Sequence, residues 1–490
     1  MRQLLPVLAV LGAVLAVFGL TMAVPLAVAW ARGEPTLGAF AAPLVLTVVV
    51  GLAMALATRR ERRELQPRDG VLLVVLVWTV LPLFASLPLL MHFNRAGTPI
   101  SFTDAYFEVV SGLTTSGGTV LSGLDALPPS INVWRAFLQW VGGMGILVLA
   151  VAILPLLGVG GSQLFKAEAA GPLKDAKLTP RITETAKGLW SVYAGLSLAC
   201  VAAYWAAGMP ALDAWIHMFT TVSLGGLSSH DASFGHFGSP LLESIAIFFM
   251  LAASCNFALY FVALRRRSLR GLLGDVETRA TLGVMIGAGL LVAAVLVVAG
   301  TYAEPLTALR HAMFNVVSVA STTGFSTVDY LQWPVFPPVL MLLLSGMATS
   351  AGSTGCGIKM VRLLILLKQA RRELTRLIHP RAVQPLQLGG RTVDAPVIFA
   401  VLGFMLVYGA TILGLTLLLL LSGDLDLDTA MSAVVASINC MGPGLGTVGP
   451  ASNFGHLGDF QTWVLSAAML LGRLELLAVL VLFTPQFWRK

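Results

Sequence analysis

The chain has 490 residues, is 57% hydrophobic and only 11% charged, and has a mean hydropathy of +0.85. Soluble domains carry about 25% charged residues, so a soluble protein is excluded and a membrane protein with many spans is expected. The formal net charge of +7 suits nucleic acid or anionic lipid, but the basic residues cluster in short segments between apolar runs, which argues for lipid and against nucleic acid.

A membrane helix needs about 20 apolar residues. The first run, 4–30, is too long for a signal-peptide core and lacks a clear cleavage site, so it reads as a retained span, with a second over 38–58. From residue 71 a unit repeats four times: span, short helix, Gly-centred loop, span. The first copy has spans 71–92 and 133–158 around a short helix at 101–115. The second has 188–208 and 240–264 around 211–223. The third has 280–302 and a broken 335–368 around 304–323. The fourth has 394–421 and 459–483 around 426–440. The expected organisation is therefore two leading spans (1–70) and four repeats, 71–175, 176–275, 276–390 and 391–490. Basic segments at 59–69, 165–187, 265–279 and 359–391, with the termini, hold 26 of the 31 Lys and Arg. The other five are Arg32, Arg95, Arg135, Arg310 and Arg473. Ten spans place both termini and every basic segment on one side, the cytoplasmic side by the positive-inside rule.

Each short helix has about 10–13 residues, too few to cross a bilayer. Each opens with an acidic residue or Thr suited to capping, Asp104 among them. Re-entrant helices of this kind survive at membrane depth only where protein or a water-filled pore shields their ends. Their C-terminal dipole ends favour cations. They lead into TTSGG (114–118), SLGG (223–226), STTGF (321–325) and CMGPG (440–444). Taking Gly117, Gly225, Gly324 and Gly442 as equivalent, the spacings are 108, 99 and 118 residues by subtraction. One Gly-centred loop per repeat suggests a pseudo-four-fold ring around one pore, in an all-α polytopic membrane protein. Backbone carbonyls in such a ring can replace the water shell of a monovalent cation, and Gly supplies the dihedrals that turn them inward.

The eighth span is interrupted by GMATSAGSTGCG (346–357), a poor helix that would leave backbone groups unsatisfied in lipid and so must face a cavity. Its place on the cytoplasmic side of the third loop would obstruct an ion path. The candidate gate residues are Gly346, Gly352, Ser353, Thr354, Gly355 and Gly357, with Lys359, which either sits at the gate or snorkels to the surface. The stretch lacks the Gly-Lys-Ser/Thr order of a phosphate loop, and GVGGS (158–162) reads as a helix terminus. Arg473 lies well inside the last span, where a charge costs about 2.5–3.5 kcal/mol. It is either a pore-facing barrier or a structural ion pair, and Glu475, two residues on, does not share its helix face. His217 and His311 read as packing or hydrogen-bonding residues, and Trp134, Trp140 and Trp463 as interface anchors. Asn439 and Asn315 either hold loop amides or cap helices, with filter support favoured for Asn439. The four cysteines form no CxxC. No HExxH, GxSxG or paired intramembrane aspartates point to an enzyme. Coupled symport would need midplane carboxylates, of which only Glu475 stands out.

The segments FEVVSGLTTSGGTVLSGLD, LQWVGGMGILVLAVAILPLLGVGG, TTVSLGGLSSHDASF, GSTGCGIKMVR, GPGLGTVGP and MLLGRLELLAVLVLFTPQFWR resemble Trk-type potassium uptake proteins. The resemblance is to the membrane subunit (TrkH/TrkG-like) of the Trk/Ktr/HKT superfamily, and it covers nearly the whole chain. It implies a potassium filter at Thr114, Thr115, Ser116 and Gly117; at Ser223, Leu224 and Gly225; at Thr322, Thr323 and Gly324; and at Cys440, Met441 and Gly442. Sodium-favouring members often carry Ser at the first filter position, so four Gly favour potassium. The first loop departs from the common TTTGA, and Cys440 and Met441 are unusual in the fourth. The resemblance also implies a pore-facing role for Arg473, a homodimer with one pathway per subunit, and a cytoplasmic TrkA-like nucleotide-binding ring. It implies a bacterial inner membrane location and K+ as transported ion, with no organic cofactor.

Overall fold

The computed structural model describes residues 4–58, 66–152, 182–381 and 384–489. The basic stretches around 59–65 and 165–181, the end of the expected span 133–158, the GVGGS motif and the boundary at 175/176 lie outside the described residues. Among the described residues six helices are long and apolar enough to cross a membrane: Leu5–Arg32, Leu37–Ala57, Arg68–Arg95, Ala186–Ala206, Val276–Val298 and Ala395–Leu420. A further helix, Pro129–Ala152, runs to the edge of the described residues. The first two spans pack through glycines. A Cβ on Gly12 would come 2.7 Å from the Gly51 carbonyl oxygen, and one on Gly51 2.7 Å from that of Gly12. Small residues let two membrane helices approach this closely.

The expected spans 240–264 and 459–483 are not straight. Pro240–Ala253 and Phe257–Arg266 meet at 91°, and Asp459–Arg473 and Leu476–Phe483 at 113°. Polar residues explain the breaks. Asn256 starts a new helix by accepting from the Ala258 amide at 2.9 Å. Glu475 adopts φ +59° and pairs with Arg362 at 3.1 Å. The third repeat is broken more deeply. Phe336–Ser345 ends at Gly346, and helix resumes only at Met360–Ile378. Outside the helices, Gln387–Leu388 pairs antiparallel with Arg391–Thr392 across Gly389 and Gly390, both at positive φ; sequence reading did not anticipate this hairpin.

Four short helices sit between the spans: Phe102–Leu113, Ala211–Val222, Pro305–Ala320 and Leu427–Ile438. Ser101, not Asp104, caps the first, its hydroxyl accepting from the Asp104 amide at 3.0 Å. Asp426 caps the fourth, and the third opens with Pro305 at its first position. Trp134 is fully buried and donates to the Ala85 carbonyl at 3.1 Å, and Trp140 donates to Ser197. Both pack between helices instead of anchoring at an interface, because their indole N–H groups find partners inside. Trp463 remains 42% exposed, against Tyr106.

Candidate ion filter and inner loop

All four short helices end alike. The helix C-cap (Thr114, Ser223, Ser321, Asn439) is followed by a non-glycine residue at positive φ: Thr115 at 55°, Leu224 at 55°, Thr322 at 66° and Cys440 at 52°. Such residues cost about 1–3 kcal/mol each and persist only where surroundings over-determine them. The next residue closes a turn onto the helix. Ser116, Gly225, Thr323 and Met441 donate their amides to Ser111, Thr220, Ser318 and Ala436 at 2.8–2.9 Å. Then comes a glycine at positive φ: Gly117 (79°), Gly226 (73°), Gly324 (89°) and Gly442 (90°).

This alignment moves the second loop by one residue. Gly226, not Gly225, is the counterpart of Gly117, Gly324 and Gly442, and Gly225 stands where the other loops carry Ser116, Thr323 and Met441. The spacings become 109, 98 and 118 by subtraction. Two adjacent glycines concealed the register.

The loops close on one another. A Cβ on Gly117 would overlap the Gly225 carbonyl oxygen, one on Gly226 that of Thr323, and one on Gly324 that of Met441. A Cβ on Gly442 would lie 3.2 Å from the Ser116 carbonyl oxygen. Each glycine therefore backs onto the preceding-residue carbonyl of the next loop, and the fourth contact returns to the first. The hydroxyls behind are engaged among themselves, Thr114 with Ser116 at 2.8 Å and Ser321 with Thr323 at 2.7 Å. The second loop differs. Gln139, fully buried on the helix from Pro129, donates to the Gly225 carbonyl at 2.7 Å and accepts from the Leu227 amide at 3.1 Å. It fills the space that the Ser116-type side chain would take: a Cβ on Gly225 would stand 2.7 Å from the Gln139 Nε2.

A second repeated device holds the outgoing chain. Glu108, His217 and Asn315 each lie six residues before their loop. Glu108 accepts from the Val120 amide at 3.0 Å and from Thr119; Asn315 accepts from the Thr327 amide at 3.2 Å; His217 Nε2 meets the Ser228 hydroxyl at 3.0 Å. In the fourth repeat Ser432, one position earlier, accepts from the Leu445 amide at 2.8 Å. Glu108 is buried and paired with buried Arg135 at 2.7 Å, and Arg135 also donates to the Ser228 carbonyl. His311 meets Thr327 at 3.0 Å beside Asn315. Asn439 holds no loop amide; it accepts from Tyr408 at 2.6 Å and donates to Ser345 at 3.0 Å, tying the fourth loop to the broken span. Beside the ring lies a cavity open to solvent whose lining includes Gly117, Gly226, Gly324 and Gly442.

The loop 346–359 lies against the other side of the ring. Its Cys356 amide faces the Thr322 hydroxyl at 3.4 Å, next to Gly324. Thr354 donates to the Val222 carbonyl at 3.1 Å, and the Ser350 amide to that of Ser254 at 3.0 Å. Glu277 accepts from the Ala351 amide at 2.6 Å. Gly346 accepts from the Ile358 amide at 2.5 Å, closing the loop base, where a Cβ on Gly357 would stand 2.6 Å from the same oxygen. Gly352 accepts from the Phe257 amide, Ser353 donates to Ser350, and a Cβ on Gly355 would come 3.2 Å from the Thr322 hydroxyl. Lys359 folds back to donate to the Gly355 carbonyl instead of reaching outward. Arg473, 1% exposed, donates to the Thr354 carbonyl at 2.9 Å, the Cys356 sulfur at 3.1 Å and the Gly142 carbonyl at 3.1 Å. Glu475 is paired elsewhere, with Arg362, so Arg473 touches the loop and the first repeat together.

The family described as TrkH, cation transport protein, matches residues 37–490. The chain is 45% identical over 481 residues to the Trk system potassium uptake protein TrkH of Salmonella typhimurium, covering 98% of each chain. It is 46% identical to the protein of that name from Halomonas elongata, covering 99% of each. The crystal structure of the potassium transporter TrkH from Vibrio parahaemolyticus superposes with a TM-score of 0.91 at 42% identity, covering 99% of this chain and 100% of that one.

Proposed function

Because the chain belongs to the TrkH family of cation transport proteins and is not an enzyme, we propose that it carries potassium into the cell through the four-loop ring. The observation that carries this reading is the closed cycle of glycine-to-carbonyl contacts from Gly117 round to Ser116. It is built from backbone, as a filter that replaces an ion's water shell requires. The filter residues are those expected from the sequence with Gly226 added, and K+ is the transported ion. The loop 346–359 is the gate. Its bonds to the second, third and, through Arg473, the first and fourth repeats support a segment crossing beneath the ring. Arg473 both pins this loop and places a positive charge there.

The chain is an integral membrane protein. We assign it to a bacterial inner membrane with both termini cytoplasmic, as a homodimer regulated by a cytoplasmic TrkA-like nucleotide-binding ring, with repeat boundaries as given above. Coupled symport is the less favoured reading, since the buried carboxylates Glu108 and Glu243 and the part-buried Glu475 are each paired with an arginine. Purified protein in liposomes tests the proposal: rubidium should enter down its gradient without sodium or a proton gradient. Strict dependence on either would favour symport. Shortening the 346–357 loop should raise basal flux; a folded deletion variant with parental flux or less would remove the gate assignment.

A further inference from the structure

At the outer mouth, two segments far apart in sequence bring three metal-binding side chains together. Asp125 comes from the segment after the first loop, and His230 and His236 from the segment after the second. One ligand atom from each lies within 4.8 Å of the others. The two imidazoles stack face to face, with centroids 3.5 Å apart and planes 6° apart. Both turn Nδ1 toward one oxygen of Asp125: His230 is in direct contact, and His236 is at 3.9 Å. Three ligands of a tetrahedral zinc stand about 3.3 Å from one another, so an ion would be seated once the stacked rings splay and both Nδ1 lone pairs converge beside the Asp125 oxygen.

The surroundings are those of metal-binding histidines. The other nitrogen of His230 faces Asp213 Oδ1 at 3.4 Å, and that oxygen accepts from Ser229 at 2.9 Å. The His230 Nε2 makes no hydrogen bond among the described residues; a turn of the ring toward this carboxylate would supply the orienting partner that ligating imidazoles use. The second Asp125 oxygen accepts from the Asp231 amide at 3.1 Å, while the Asp231 carboxylate accepts from the Leu124 amide at 3.2 Å. The two segments thus hold each other in place. Three carboxylates gather around two histidines, a net negative field that draws cations. Asp125 and His236 are exposed, leaving a path for entry and a place for water as fourth ligand. His230 and Asp231 line the same cavity as the filter glycines.

We propose that Asp125, His230 and His236 form a site for a zinc-class divalent cation at the outer mouth, and that its occupation slows ion entry. A doubly charged ion at the rim repels potassium from the cavity and clamps the outer segments of the first two repeats together. The slowing of flux rests on the transport reading above; the binding does not. Calorimetric titration of the full-length protein with zinc chloride tests binding first. One zinc per chain is expected, weakened in His236→Ala and Asp125→Asn by at least the roughly 10–100-fold that loss of an outer-shell partner alone produces, with His456→Ala as the unaffected control. His236 is 45% exposed, so its variant should keep the parental melting temperature. Unchanged affinity in both variants, or no saturable binding, overturns the site. External zinc should then slow rubidium influx in liposomes of the parent and not of His236→Ala. Binding without any change in influx overturns the second half of the proposal and leaves the transport reading untouched.

Discussion

Exchanging Gln139 and Gly225 tests whether the second loop is built as described. Gln139→Ala removes two buried hydrogen bonds, to the Gly225 carbonyl and from the Leu227 amide. Each bond lost leaves a buried backbone group without its partner, at about 1–3 kcal/mol apiece, so the loss is about 2–6 kcal/mol. Gly225→Ser pushes a Cβ into the Gln139 amide, and overpacking of this kind costs about 1–3 kcal/mol. Together the two changes rebuild the arrangement of the first loop, with a serine where Ser116 stands and no glutamine behind it. The double variant should therefore lose less than the sum of the singles, by about 1 kcal/mol or more, within the usual range of coupling between touching residues. Gly226→Ser should find no such relief. Its φ is +73° and its neighbour is the Thr323 backbone carbonyl, which cannot step aside. Melting temperature in detergent and rubidium influx competed with sodium should be measured on all variants. Additive losses in the Gln139–Gly225 pair, or equal rescue of Gly226→Ser, would refute the register and the role of Gln139.

Gly117→Ser should weaken selection of rubidium over sodium in competitive uptake, because its Cβ overlaps the Gly225 carbonyl; an unchanged ratio would count against Gly117 as a filter residue. Arg473→Ala strips the Thr354 and Gly142 carbonyls of their donor. Basal flux should rise and melting temperature fall, whereas Arg473→Lys should keep flux near the parental level; an Ala variant with no gain in flux would sink the barrier role. Glu108→Gln leaves buried Arg135 without its counter-charge, a change worth about 3–5 kcal/mol when such a pair is truly buried. A large drop in melting temperature is expected, and a parental value would mean that the pair adds little.

The four-part plan is readable because it is written as a period. Long apolar runs, a short helix and a glycine return in the same order, and hydropathy constrains spans strongly. Register within a loop is decided at single-residue resolution, and SLGG offers two glycines for one position. The carbonyl contacts separate them, and these lie between residues about a hundred positions apart. Gln139 does not stand out in the sequence, because a single polar residue in an apolar span carries no sign of what it faces. Asn315 is legible as a candidate to hold a loop amide, but Glu108 and the role it shares with His217 and Asn315 are hidden by chemistry, since three residue types do one job. Their common distance of six residues from the loop was the available signal. The bends at Asn256 and Glu475 come from polar groups that leave the helix for partners which hydropathy averages over. The outer histidines are six apart, and their carboxylate comes from another repeat, so no local spacing could announce them.

A pore assembled from four identical chains receives every amino-acid change four times over, and its quarters cannot diverge. Here one gene encodes all four quarters, so each can drift alone. Gln139 behind the second loop, and the long interruption after Ser345 in the third repeat, are what such freedom leaves behind. A substitution here is a quarter-strength dose. Mutational histories of this ring should accordingly proceed in small steps, one side at a time, with the resting place of the ion displaced from the geometric axis toward the quarters that bind it best.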